Sequence, residues 1–271
     1  HNYYQQQADY KMELKLDDSK QILRGSEVIT YTNNSPDVLS YLWIQLDQNI
    51  RAKKSHGQLT STSSMGNEMS FGSIKRMHDQ MNFDGGFKLE KVTDTNNKKL
   101  SYKINETMMR IELPKALKKG QSFSFEIKYQ YNINDRLKLG GRSGYEYFEK
   151  DKNSIYTIAQ FFPRMAVYNE VEGWQNKQFI GSGEFTLPFG DYKVSITVPN
   201  DHIVAATGEL KNYTSVLSKK QIQRLDRAKN NYSDPEIIVT QEEAESNEKT
   251  KSDSKKTWVF ENRLKTKFNQ N

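Results

Sequence analysis

Few residues in this sequence have the type and spacing that chemistry requires. The four histidines, His1, His56, His78 and His202, lie far apart in the 271 residues, and none belongs to H-E-x-x-H or another close ligand pair. A serine triad would need one of them as base, yet no G-x-S-x-G elbow is present to hold a nucleophile. With no cysteine, the chain has no disulfide, thiolate zinc site, Fe–S cluster or Cys nucleophile. Gly140-Gly141-Arg142-Ser143-Gly144 is glycine-rich but lacks the lysine and following helix of a phosphate cradle, so it reads as a turn. Glu170 and Glu172 beside Trp174 are the least ordinary carboxylates, because an aromatic neighbour can desolvate a carboxyl group; as a rim salt bridge they would be ordinary. The sequence therefore predicts no catalytic residue and no metal ligand on this chain.

The elements that would position any site are strands. Tyr10, Met12, Leu14 and Leu16 alternate with Lys11, Glu13, Lys15 and Asp17, the period-two pattern of a half-buried strand. Val28 to Thr32 follows across a turn expected near Gly25, and Leu39 to Leu46 reads as a buried strand. Phe87 to Val92, Leu100 to Ile104 and Met109 to Leu113 form a meander. Phe123, Phe125, Ile127, Tyr129, Tyr131 and Ile133 share one face of the next strand, and Tyr156 to Phe162, Tyr192 to Val198 and Thr257 to Phe260 complete the set. Many short strands parted by turn chemistry predict a mostly β fold, an antiparallel saddle-like or sandwich domain. One peripheral helix is expected at about Ser218 to Lys229, started by a Ser218/Gln221 capping box, with Ile222, Leu225 and Ala228 inward and a solvated basic face. Arg51 to Asn82 reads as a polar excursion carrying little structure, and 241–256 as a polar loop too poor in apolar residues to fold alone.

Composition excludes other classes. The 31 aromatic side chains (3 Trp, 15 Tyr, 13 Phe) supply enough area for a core. No apolar run is long enough to span a bilayer, so no transmembrane segment is expected. The formal charge of +6 comes from 40 basic residues scattered among 34 acidic ones, and without a compact basic block no nucleic-acid partner is expected. The start, His1 to Gln7, has no basic head followed by an apolar run and so reads as no targeting peptide.

The most uneven stretch is Gln160-Phe161-Phe162-Pro163-Arg164-Met165-Ala166-Val167-Tyr168-Asn169-Glu170, followed by Glu172-Gly173-Trp174. Here large aromatics crowd into a loop instead of alternating along a strand, and such loops either plug the end of a core or line a site. This segment, with Tyr31-Thr32-Asn33-Asn34-Ser35-Pro36-Asp37 after the first strand, Gly183-Glu184-Phe185, and Phe189-Gly190-Asp191-Tyr192 through Ile196-Thr197-Val198-Pro199, resembles the N-terminal domain of the aminopeptidase N family of zinc peptidases, particularly its secreted bacteroidete-type branch. Taken in order, these motifs cover about residues 3 to 260.

The resemblance implies a single N-terminal β domain over 1–271, a non-catalytic wall of the substrate cleft that helps bind the peptide N-terminus. Its catalytic partner domain, carrying the zinc, would be absent from this chain; no cofactor is implied on the chain itself. It also implies a secreted or periplasmic protein. In the family the loop matching Thr157 to Arg164 carries a Gln and, two residues on, a Glu or Gln that together hold the substrate's amino group. Gln160 matches the first; Phe162 stands at the second, a departure that removes a polar acceptor. Gln160 alone or Glu170 would then hold the amine, and Phe161, Phe162, Arg164, Met165, Tyr168 and Trp174 would complete the peptide-binding set, the aromatics and Met165 shaping a pocket for an apolar first side chain. The alternative reading is a free-standing β-sandwich module for carbohydrate or protein, with Trp174, Tyr168 and Phe162 as a stacking platform.

Overall fold

The computed structural model describes residues 3–53, 55, 59, 68–181, 186–249 and 254–263. Strand outweighs helix, 41% to 19%, so the chain is mostly β. The strands are β1 (Gln7–Asp17), β2 (Ile22–Thr32), β3 (Leu39–Gln45), β4 (Lys88–Asp94), β5 (Tyr102–Asn105), β6 (Met108–Leu117), β7 (Ser122–Asn132), β8 (Gly144–Phe148) and β9 (Asn153–Thr157). They continue with β10 (Arg164–Met165), β11 (Tyr168–Asn169), β12 (Gly173–Trp174), β13 (Tyr192–Pro199), β14 (Glu209–Leu210) and β15 (Lys255–Asn262). The helices are α1 (Phe71–Asn82), α2 (Arg136–Leu139), α3 (Tyr213–Val216), α4 (Lys219–Asn230) and α5 (Gln241–Glu248), with a 3-10 turn at Asp47–Arg51.

A seven-stranded sheet runs β14-β15-β13-β1-β2-β7-β4, and a four-stranded sheet runs β10-β3-β6-β5. The large sheet is mixed, because β1 pairs in parallel with β13, Tyr10 opposite Tyr192 and Lys15 opposite Thr197. The alternation in β1, β2 and β7 turns one face of this sheet inward, where Tyr10, Met12, Leu14, Ile29, Phe125 and Ile127 join Leu42 and Ile44 of β3 and Met109 and Ile111 of β6 in one core. Each such side chain contributes about 1.5–3 kcal/mol by leaving water, and that burial sets the register.

The first hairpin turns earlier than the sequence predicts. The reversal lies at 18–21, where Asp17 accepts from the Ser19 hydroxyl at 2.8 Å and the Lys20 N–H at 3.2 Å, and Gln21 takes φ 55°. Gly25 instead sits inside β2 opposite Tyr129, whose ring fills the place that a Cβ would occupy. Two stretches read as unstructured hold helices. Within Arg51 to Asn82, Ser70 caps α1 by accepting the Ser73 N–H, and α1 buries no residue; positions 54, 56–58 and 60–67 lie outside the described residues. Within the expected loop 241–256, α5 forms on a Thr240/Glu243 capping box, and 255–256 already belong to β15. The expected helix is α4, with its Ser218/Gln221 box formed; its basic face is not wholly solvated, since Arg224 bonds Glu243 of α5 at 2.6 Å.

Candidate functional site

Between β9 and β10 the chain crosses the end of the core as an irregular loop, 158–163, in place of the strand expected as far as Phe162. Its backbone is gripped from below. Gln48, 2% exposed on the 3-10 turn, donates its amide to the carbonyls of Ala159 at 3.2 Å and Gln160 at 3.1 Å. The Ala159 N–H donates to the Ser143 hydroxyl at 3.1 Å. Between these holds Gln160 adopts φ 52°, a left-handed conformation that costs a non-glycine residue about 1 kcal/mol or more. Its half-buried side-chain amide makes no hydrogen bond among the described residues. The loop thus fixes a strained residue whose own donor and acceptor are unspent.

After Gln160 the loop is aromatic. The rings of Phe161 and Phe162 are 4.9 Å apart; Phe162 meets Tyr10 edge-on at 5.4 Å, and Tyr10 stacks on its cross-strand neighbour Tyr192 at 4.8 Å. Burial raises the Tyr10 phenol well above its ordinary range and pushes Tyr192 up to about 12, so both remain protonated donors. The Tyr10 hydroxyl accepts the Met165 N–H at 2.8 Å, which pins the loop's exit to β1.

The predicted residues do not form one constellation. Arg164 is 13% exposed and paired with Asp47, itself 1% exposed, and it leans on Gln45 at 3.4 Å. Burial raises the Asp47 carboxyl more than Arg164 lowers it. Arg164 therefore closes an internal charge pair instead of offering a free guanidinium to a peptide. Met165 is fully buried on the β3 edge and shapes no pocket. Tyr168 and Trp174 face each other across the β11–β12 ribbon at 5.2 Å, near Tyr31 and Tyr41, while the Tyr168 hydroxyl donates to Asp37 at 2.7 Å. Glu170 lies exposed in the turn of that ribbon, and Glu172, also exposed, pairs with Lys177 at 3.4 Å; Trp174 desolvates neither. A flat platform of Trp174, Tyr168 and Phe162 is not formed, because Phe162 belongs to the Tyr10 cluster and Trp174 meets Tyr168 edge to face.

A groove of about 1070 Å³ opens beside the loop, and of the eight predicted residues only Phe161 and Phe162 line it. Sequence reading missed Gln48, Ser143, Asp47 and the Asp201–His202 pair of the groove wall; nothing in their local sequence marks them. Among the described residues no group of three or more His, Asp or Glu gathers in a way that could hold a metal ion. His78 is exposed on α1 and His202 is engaged by Asp201, while His1, His56 and Gly183-Glu184-Phe185 lie outside the described residues. No described helix is long and apolar enough to cross a membrane.

With this geometry in place the chain can be set beside known proteins. No family model matches it, and no curated protein does. Solved structures do. The M1 zinc metallopeptidase from Deinococcus radiodurans aligns over 96% of this chain and 39% of its own, with 14% identity and a TM-score of 0.43. A mutant of that enzyme bound to a Tyr-Ser-Ala substrate aligns over 96% and 40%, with 13% identity and a TM-score of 0.44. This chain therefore spans about two fifths of the length of those peptidases.

Proposed function

We propose that this chain is the N-terminal, non-catalytic β domain of a zinc aminopeptidase-like protein, of the secreted bacteroidete-type branch, and that it walls the substrate cleft and helps hold the peptide's N-terminus. The sequence motifs around Gln160 and Pro163 support the reading. The observation that carries it is the Gln160 backbone, left-handed where the part-buried Gln48 amide donates to the Ala159 and Gln160 carbonyls, while the Gln160 side-chain amide makes no hydrogen bond among the described residues. Strain of this kind persists only where the surroundings over-determine it, and it concentrates at ligand-binding loops.

In this reading Gln160 Oε1 accepts a hydrogen bond from the substrate's ammonium group, and Phe161 and Phe162 give the adjoining surface an apolar character. Phe162 leaves the amine one polar partner fewer than the family pattern provides, so either Gln160 holds it alone or the carboxylate of the exposed Glu170 joins it. The metal, its water and the general base come from a catalytic domain outside this sequence, and secretion or a periplasmic location follows from the same resemblance. In the full-length protein Gln160→Ala is expected to raise KM for free-amine peptides about tenfold with kcat little changed, while N-acetylated peptides are unaffected. An unchanged KM removes Gln160 from the site. Inactivity of the full-length wild type removes the reading.

A further inference from the structure

The glycine-rich turn at 140–144 supports the Gln160 loop through two side chains, Ser143 of its own and Arg51 of the 3-10 turn. Gly140 and Gly141 take φ of 72° and 99°, left-handed values that suit glycine, and the Asn134 side-chain amide donates to the Gly140 carbonyl at 3.1 Å. A Cβ on Gly141 would stand 2.6 Å from Arg51 Nη2, so the bare backbone is what lets the guanidinium lie against the turn. From that seat Arg51 Nη1 reaches Gln48 Oε1 at 3.5 Å. Two residues past Gly141, the Ser143 hydroxyl accepts the Ala159 N–H at 3.1 Å.

These partners leave the Gln48 amide one orientation. A guanidinium only donates, so Oε1 faces Arg51; carbonyls only accept, so Nε2 faces those of Ala159 and Gln160, at 3.2 and 3.1 Å. In an extended chain successive carbonyls point to opposite sides, and one nitrogen reaches two of them only where the backbone between them turns. The residue between these two carbonyls is Gln160, with φ 52°. We infer that Gln48, oriented by Arg51 and backed by Ser143, is a positioning residue that keeps Gln160 left-handed and so presents its side chain to the substrate's amine. Unheld, a non-glycine residue populates that conformation at least about fivefold less. A site whose binding-competent form is depleted loses apparent affinity in the same proportion. The inference rests on the peptidase reading, in which Gln160 meets the amine, and adds to it the residues that set Gln160 in place.

The test is steady-state kinetics of the full-length protein on free-amine peptides, with Gln48→Met, Gln160→Ala and the double variant. Gln48→Met keeps the length of the side chain and loses both donors. It is expected to raise KM at least about fivefold with kcat within about twofold of wild type. It should add nothing to Gln160→Ala, because a residue that acts only through Gln160 has no effect once that side chain is gone. Thermal melts establish that each variant folds; should Gln48→Met not fold, Gln48→Asn, which stays polar but falls one methylene short of the carbonyls, is read in the same way. An unchanged KM, a fall in kcat in place of the KM effect, or a KM effect that multiplies with that of Gln160→Ala would each overturn the assignment of Gln48. In those cases a raised KM in Gln160→Ala alone leaves the peptidase reading standing, whereas indifference of Gln160→Ala, or an inactive wild type, takes both conclusions down.

Discussion

Glu27 is the residue most at odds with its surroundings. It occupies an inward position of β2 between Gly25 and Ile29, with Met12 and Ile127 across from it on the neighbouring strands, and neither carboxylate oxygen has a partner among the described residues. Burial pushes its carboxyl well above the usual carboxylate range; burial also raises the phenols of Tyr10, Tyr129 and Tyr192, to which a charge on Glu27 adds. In the unfolded chain Glu27 loses its proton near the ordinary value of 4.5, while the folded chain still holds it. Across the window from there up to the folded value, the native state binds the extra proton, so stability falls as pH rises, by at most about 1.4 kcal/mol per pH unit. Glu27→Gln keeps the shape and removes the titration; urea unfolding between pH 5 and 8 should show a flatter dependence than wild type. An identical pair of slopes would mean that Glu27 ionises freely in the native state. The same residue explains a misread boundary. Gly25, Ser26 and Glu27 look like a turn, and only the register against β7 shows that the strand runs through them. The aromatic loop around Pro163 stands out in sequence because large rings crowd there instead of alternating; the Gln48 grip on its backbone does not, because it exists only once distant segments meet.

Among the elements, α5 owes its existence to its ends rather than to a buried face. Its eight residues bury none of their side chains, and their composition reads as a loop. What fixes it is local: the Thr240 hydroxyl accepts the Glu243 N–H at 3.3 Å, and the Glu243 carboxylate accepts the Thr240 N–H at 3.2 Å. Arg224 on α4 then bonds that carboxylate at 2.6 Å and the Ile238 carbonyl at 3.1 Å, and the hydrogen bond from Arg224 holds the Glu243 carboxyl below its usual range. The T-x-x-E pattern was present in the sequence, but with no apolar run behind it the signal was too bare to outweigh composition. Thr240→Ala should lower the local stability of α5 by about 1 kcal/mol, read as faster amide exchange across 241–248 with α4 unchanged. Equal acceleration in both helices would mean that they open as one unit. Glu248, at the far end of α5, lines the groove beside the aromatic loop, so this cap also bears on the groove's shape.

For the molecule as a whole, period-two alternation announced the strands but could not announce their neighbours. The first strand pairs antiparallel with the second, a local event, and in parallel with β13, where Tyr10 meets Tyr192 across most of the chain. Beyond β13 the sheet is completed by β15, which lies between β13 and the short β14 and carries Trp258 and Phe260, 1% and 4% exposed, into the core. Three of the seven strands of the large sheet, β13, β14 and β15, therefore arrive late in the sequence, and loop closure over such separations is costly before any contact rewards it. Deleting 254–271 takes away the whole of β15, leaves β13 with an unpaired edge and exposes the face of β13 that β15 and Trp258 cover. The shortened chain should keep the β1–β2–β7 part of the sheet but lose a cooperative thermal transition and most near-ultraviolet dichroism, while binding an apolar dye that the intact chain binds less. A sharp melt with intact near-ultraviolet dichroism would instead mean that the β1–β13 pair is secured by the core on its other side.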